Sequence, residues 1–124
     1  MKLSPSASSG PVVYGIPNCS TVKKARGWLE ANGIVYTFHD YKKQGVPVAE
    51  LQTMMAAQDW EPFLNRRGPT WRKLDAATQS SVTDAASALA VMQIYPSVIK
   101  RPLLIFNNRH WLGFSEDAYA AFFA

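Results

Sequence analysis

Cys19 is the only cysteine among 124 residues, and it stands in the stretch Tyr14-Gly15-Ile16-Pro17-Asn18-Cys19-Ser20-Thr21-Val22-Lys23-Lys24-Ala25. A thiol does chemistry as its thiolate, so the question is what this stretch does to its acidity. An apolar run, Val12-Val13-Tyr14, precedes the cysteine, and a helical pattern opens at Ser20. At a strand-to-helix junction the unpaired N–H groups of the first turn and the helix dipole favour a thiolate. Lys23 and Lys24, one turn further on, add positive potential. Pro17 and Asn18 hold the loop, and Ser20 and Thr21 supply local hydrogen bonds. The competing reading is a small buried hydrophobe, the commonest fate of a free cysteine. Val22 stands where a Cys-x-x-Cys motif would have its second thiol, which excludes an intramolecular disulfide. A reactive Cys19 must be resolved by an outside thiol, and glutathione is the expected one.

The second candidate is Arg101, in Ile99-Lys100-Arg101-Pro102 before an apolar run. Pro102 is tolerated at a strand start, and an X-Pro bond there can be cis. A guanidinium beside the cysteine loop would offer a two-pronged site for a carboxylate or oxyanion. The alternative is a surface arginine beside a strand-starting proline. His39 and His110 have no metal-ligand spacing to each other or to Cys19, so no metal is expected. The four tryptophans and the adjacent Met54-Met55 read as packing residues.

Elements in a definite order must position these groups. Val12–Tyr14 is a short strand broken by Gly15-Ile16-Pro17. A helix is expected from Ser20 to Asn32, with Val22, Ala25 and Leu29 on one face and a stop at Asn32-Gly33. Ile34 to His39 reads as a second strand, parallel to the first through a right-handed crossover. Pro47 to Gln58 reads as an amphipathic helix with Val48, Leu51, Met54 and Met55 on its face. A turn or two of helix at Trp60–Asn65 ends at Arg67-Gly68-Pro69, Trp71–Leu74 is a connector, and Thr83 caps a helix reaching Tyr95-Pro96. Pro102 to Phe106 is a strand, Asn107-Asn108 a hairpin turn, and Arg109 to Leu112 its partner. Ser115, followed by Glu116 and Asp117, starts the last helix. The layout β-α-β, helical insert, β-β-α is that of an α/β thioredoxin-like fold. It is a four-stranded mixed sheet with flanking helices and an inserted helical subdomain at about 42–97.

The length suits one domain, 12–124, and residues 1–11, seven of them Ser, Pro or Gly, are expected to be a flexible leader. That leader lacks the apolar core of a secretory signal, no run approaches the length of a membrane span, and a lone cysteine excludes a disulfide-stapled scaffold. A cytoplasmic protein is expected, a monomer not bound to membrane. Net charge is +4, and ten of the 13 basic residues form adjacent pairs: Lys23-Lys24, Lys42-Lys43, Arg66-Arg67, Arg72-Lys73 and Lys100-Arg101. Gathered on one side they would attract anions; scattered they are solvated surface charge. No helix-turn-helix signal accompanies them, so direct nucleic-acid binding is not expected.

The Cys19 stretch, Leu64-Asn65-Arg66-Arg67-Gly68-Pro69-Thr70-Trp71-Arg72-Lys73-Leu74, Lys100-Arg101-Pro102-Leu103-Leu104 and Gly113-Phe114-Ser115 together resemble the arsenate reductase-related ArsC/Spx family, most nearly its YffB-type branch. The resemblance runs from about residue 12 to 122 and implies a thioredoxin-like fold with a helical insertion. It implies that Cys19 is the nucleophile of a thiol-dependent oxidoreductase. It also implies that Arg101 binds an anion or steadies the thiolate, and that Arg101–Pro102 is cis. Asn18, Ser20, Thr21, Pro102 and one of Arg66, Arg67 or Arg72 are then candidate substrate- or glutathione-binding residues. The chain departs from the arsenate reductases proper at Gly113, where they have a further arginine, and from the Spx regulators at Val22. Glutathione-dependent reduction or transfer on a small oxidised thiol is the leading expectation. The alternatives are arsenate reduction, with an oxyanion as substrate, and a non-catalytic Spx-like adaptor that binds RNA polymerase or another protein.

Overall fold

The computed structural model describes residues 10–124. Residues 1–9 of the expected leader lie outside the described residues. Pro11 is buried, and its carbonyl accepts the N–H of Thr37 at 2.9 Å. The chain forms two compact units: one runs to His39 and resumes at Arg101–Ala124, and the other is Asp40–Lys100.

The first unit holds β1 (Val12–Gly15), α1 (Ser20–Ala31), β2 (Thr37–Asp40, whose last residue opens the other unit), β3 (Leu103–Phe106), β4 (Arg109–Leu112) and a last helix, Glu116–Phe122. The sheet order is β2-β1-β3-β4, with β3 antiparallel to both β1 and β4, and the sheet is mixed. This is the thioredoxin-like fold expected from the element order. The central strands β1 and β3 bury most of their side chains, while edge strand β4 exposes Arg109 and Trp111. Val13, Ala25, Leu29, Leu104, Tyr119 and Phe122 form the core cluster, with Trp28, Phe106, Phe114 and Phe123 packed against it.

α1 buries the residues its periodicity selects, Val22, Ala25 and Leu29. Its end explains why β2 begins later than the expected Ile34. Gly33 takes φ +68°, its N–H reaches the Glu30 carbonyl, and the Ile34 N–H reaches that of Leu29. This Schellman closure uses Ile34 to satisfy the helix, so strand pairing starts only at Thr37. Between β3 and β4, Asn107 and Asn108 have φ of 55° and 62°, the left-handed pair of a tight hairpin turn.

The second unit is helical: α2 (Tyr41–Gln44), α3 (Val48–Ala57), α4 (Pro69–Lys73), α5 (Ala76–Ser80), α6 (Ala85–Ile94) and 3₁₀ turns at Glu61–Phe63 and Pro96–Val98. The Trp71–Leu74 segment is thus part of a helix rather than a connector, because Pro69 after Gly68 opens a turn as well as ending the previous one. The cap of α6 is Asp84 instead of Thr83: its carboxylate accepts the Ser87 N–H at 2.9 Å, completing a capping box. α3 packs on α6, and Leu51, Met55, Ala88, Leu89, Val91 and Met92 are buried. The chain leaves this unit through a Leu64–Ile99 bridge and a bond from the Lys100 N–H to the Phe63 carbonyl.

Tyr119, in the last helix α7 (Glu116–Phe122), is fully buried against the edge of Phe114, with ring centroids 4.7 Å apart. Among the described residues its hydroxyl has no hydrogen-bond partner, and burial pushes its pKa strongly up. Removing that hydroxyl relieves an unmet desolvation cost, so Tyr119→Phe should raise stability by about 1 kcal/mol in urea unfolding.

Candidate active site

The register of the sheet decides what lies beside Cys19. Tyr14 of β1 pairs with Leu103 of β3 in antiparallel sense. The carboxyl end of β1, which feeds the cysteine loop, therefore lies alongside the start of β3, where Arg101 and Pro102 enter. The Arg101–Pro102 peptide bond is cis. The Pro102 carbonyl accepts the Gly113 N–H at 2.9 Å, tying this entry to the end of β4.

Cys19 is the N-cap residue of α1, with extended backbone (φ −92°, ψ 126°), and its carbonyl accepts the first helical bond, from Lys23. Its own N–H reaches back to the Ile16 carbonyl at 3.3 Å, closing the loop. The thiol is half-buried. Burial is the largest single influence on it and pushes its pKa up. Opposing it are the backbone N–H of Val22, a hydrogen bond and the positive charge of the Arg101 guanidinium, and the N–H of Thr21. The sum lies below the ordinary thiol value. The sulfur makes no short capping bond of the kind a serine or aspartate oxygen makes. The two N–H groups act on it through a longer electrostatic reach, which favours the larger, charged thiolate.

Asn18 and Ser20 flank Cys19 and are exposed, Thr21 is half-buried, and Pro102 is buried. These residues, with Cys19 and Arg101, belong to one unit. Arg66, Arg67 and Arg72 belong to the other. There Arg66 and Arg67 line a shallow hollow with Pro62, Leu64, Asn65 and Lys100, and Arg72 lies outside it. Arg66 is already engaged, 3.1 Å from Glu61 and with its guanidinium over the rings of Trp60 and Trp71. Gly113, at the place of the further arginine of the reductases, is buried with φ +82°, a conformation that favours glycine. His39 packs on Tyr14, with ring centroids 4.8 Å apart. Among the described residues no group of three His, Cys, Asp or Glu could hold a metal ion, and no helix is long and apolar enough to cross a membrane. Sequence reasoning took Val22 as a core residue and as the place of a missing second thiol, not as a backbone influence on Cys19, because nothing in a residue's type reports where its N–H points.

Arg101→Ala removes both a charge and a donor from Cys19 and should cut its thiolate fraction at neutral pH about tenfold, read from the pH profile of iodoacetamide alkylation. Arg101→Lys should recover part of the loss, since it restores charge without the planar donor pair. The folded thiol is more acidic than the unfolded one, so ionised Cys19 favours the folded state. That contribution is complete above the unfolded pKa, about 8.5, and disappears as pH falls through the folded value. The stability difference between wild type and Cys19→Ser should therefore shift in favour of wild type as pH rises across that window.

The geometry has close parallels. The ArsC family model matches residues 14–122. An uncharacterized protein of Haemophilus influenzae is 39% identical over 112 residues, 90% of this chain and 97% of its own. A solved structure named as the YffB protein superposes with a TM-score of 0.85 at 46% identity, covering 92% of this chain and 99% of that one. The solution structure of an arsenate reductase (ArsC) related protein from Brucella melitensis does so with 0.71 at 46% identity, covering 94% and 96%. The chain belongs to the ArsC family.

Proposed function

We propose that this protein is a glutathione-dependent thiol reductase or transferase of the cytoplasm, with Cys19 as its nucleophile. The observation that carries this reading is a lone, half-buried thiol held below its ordinary pKa by Arg101 and the first turn of α1. In the first step the Cys19 thiolate attacks one sulfur of a glutathione mixed disulfide. A new bond forms between Cys19 and the glutathione sulfur, the substrate's S–S bond breaks, and the substrate leaves as a thiolate that takes a proton from solvent. A second glutathione, as thiolate, then attacks the glutathione sulfur bound to Cys19. Oxidised glutathione departs, and the Cys19 thiolate is regenerated. One glutathione thiol is consumed per turn, and it leaves as oxidised glutathione joined to the glutathione that arrived in the mixed disulfide.

Arg101 favours the attacking thiolate and, with Asn18, Ser20 and Thr21 around the loop, offers donors for a glutathione carboxylate. The hollow of Arg67 and Lys100 is a second cationic place suited to a carboxylate, and there Arg67 is the better candidate because Arg66 is engaged by Glu61. Arsenate reduction is less well supported, since Gly113 has no side chain to give a tetrahedral oxyanion a further guanidinium.

Intact-mass analysis after incubation with oxidised glutathione tests the reading. One glutathione adduct is expected on the wild type, none on Cys19→Ser, and a slower-forming one on Arg101→Ala. A wild type that stays unmodified while a free peptide thiol is modified would sink the proposal.

A further inference from the structure

β1 ends at Gly15, which is buried, four residues before Cys19. A Cβ placed on Gly15 would stand 2.8 Å from Cγ2 of Val22, 3.5 Å from its Cγ1 and 3.7 Å from its Cβ. Carbon atoms are at ease about 3.5–4.0 Å apart, so the strand end and the first turn of α1 meet this closely only because residue 15 lacks a side chain. Gly15 is not among the residues with positive φ, so an alanine could take its backbone conformation. The steric contact alone demands glycine. Val22 has little freedom to yield: it is fully buried, and a valine in a helix keeps essentially one χ1 rotamer. Val22 is also the third residue of α1, whose N–H is one of those an N-cap side chain faces, and it is the leading backbone influence that lowers the pKa of the N-cap residue Cys19.

We propose that Gly15 and Val22 are a positioning pair for Cys19: the bare backbone of Gly15 seats the Val22 methyl groups, and this seat fixes the aim of the Val22 N–H at Sγ. The pair rests on the reading of Cys19 as the working thiolate. Its side chains touch no substrate. Its effect reaches the sulfur through the placement of one turn of helix against one strand end. An added methyl group on Gly15 must push that turn away from the strand, which moves the Val22 N–H relative to the sulfur and weakens its electrostatic hold on the thiolate.

The test compares wild type with Gly15→Ala, Val22→Ala and the double variant, reading the alkylation pH profile of Cys19 and the thermal midpoint of each. Gly15→Ala should leave about three- to tenfold less thiolate at neutral pH, a rise of up to one pKa unit. Val22→Ala removes the atoms that clash but retains the N–H, so the double variant should return to the alkylation profile of Val22→Ala alone. A rescue of this kind is not expected from a general loss of packing, since the double variant has the emptier core. If Gly15→Ala alone does not fold, the Val22→Ala background retains the test: there the added Gly15→Ala change must leave both thermal midpoint and profile unaltered. A wild-type profile in Gly15→Ala, or a double variant whose profile departs from that of Val22→Ala alone, overturns the pair alone. An ordinary thiol profile in the wild type itself overturns the reading of Cys19 and the pair with it.

Discussion

The antiparallel pairing of Tyr14 with Leu103 is the constraint on which the site depends. It sets the end of β1 beside the start of β3, so the loop that leaves one strand meets the arginine that enters the other. Sequence separation between Cys19 and Arg101 is large, and no local turn could bring them together. Two central strands, buried on a core of Val13, Leu104, Leu29 and Tyr119, hold that register because a slip of one residue would turn every buried side chain outward. The stability of the sheet and the geometry of the site are therefore one requirement.

At the sulfur itself the outcome is a contest. Half-burial disfavours the charged form, yet a fully exposed thiol would lose the low-dielectric surroundings in which nearby donors act strongly. Arg101 and two N–H groups of α1 outweigh the burial. Gly15 enters this contest without touching the sulfur, by permitting the strand and helix to approach within the width of a missing methyl group.

Much of this is legible in the residues. The strand-to-helix junction around Cys19 is local, so Pro17, the apolar stripe of α1 and the missing second cysteine could all be read along the chain. The hairpin at Asn107-Asn108 and the Ser115 cap are equally local, and the structure has both. Less legible were α4 and α5, which at five residues each carry too few turns for periodicity to register. The late start of β2 was hidden because Ile34 has strand chemistry but is used to close a helix. The Gly15–Val22 contact was invisible for a different reason: it is a distance between two elements, and a glycine before Ile16-Pro17 already had a sufficient explanation as a strand breaker.

The central claim is that the folded chain holds Cys19 as a thiolate more readily than a free thiol, and the most direct measurement is a pH titration of the cysteine Cβ resonance in protein isotopically labelled at its one cysteine. The account predicts a single transition with a midpoint below that of the same protein unfolded in urea, and displacement of the midpoint upward in Arg101→Ala. A folded-state midpoint equal to or above the unfolded one would contradict it.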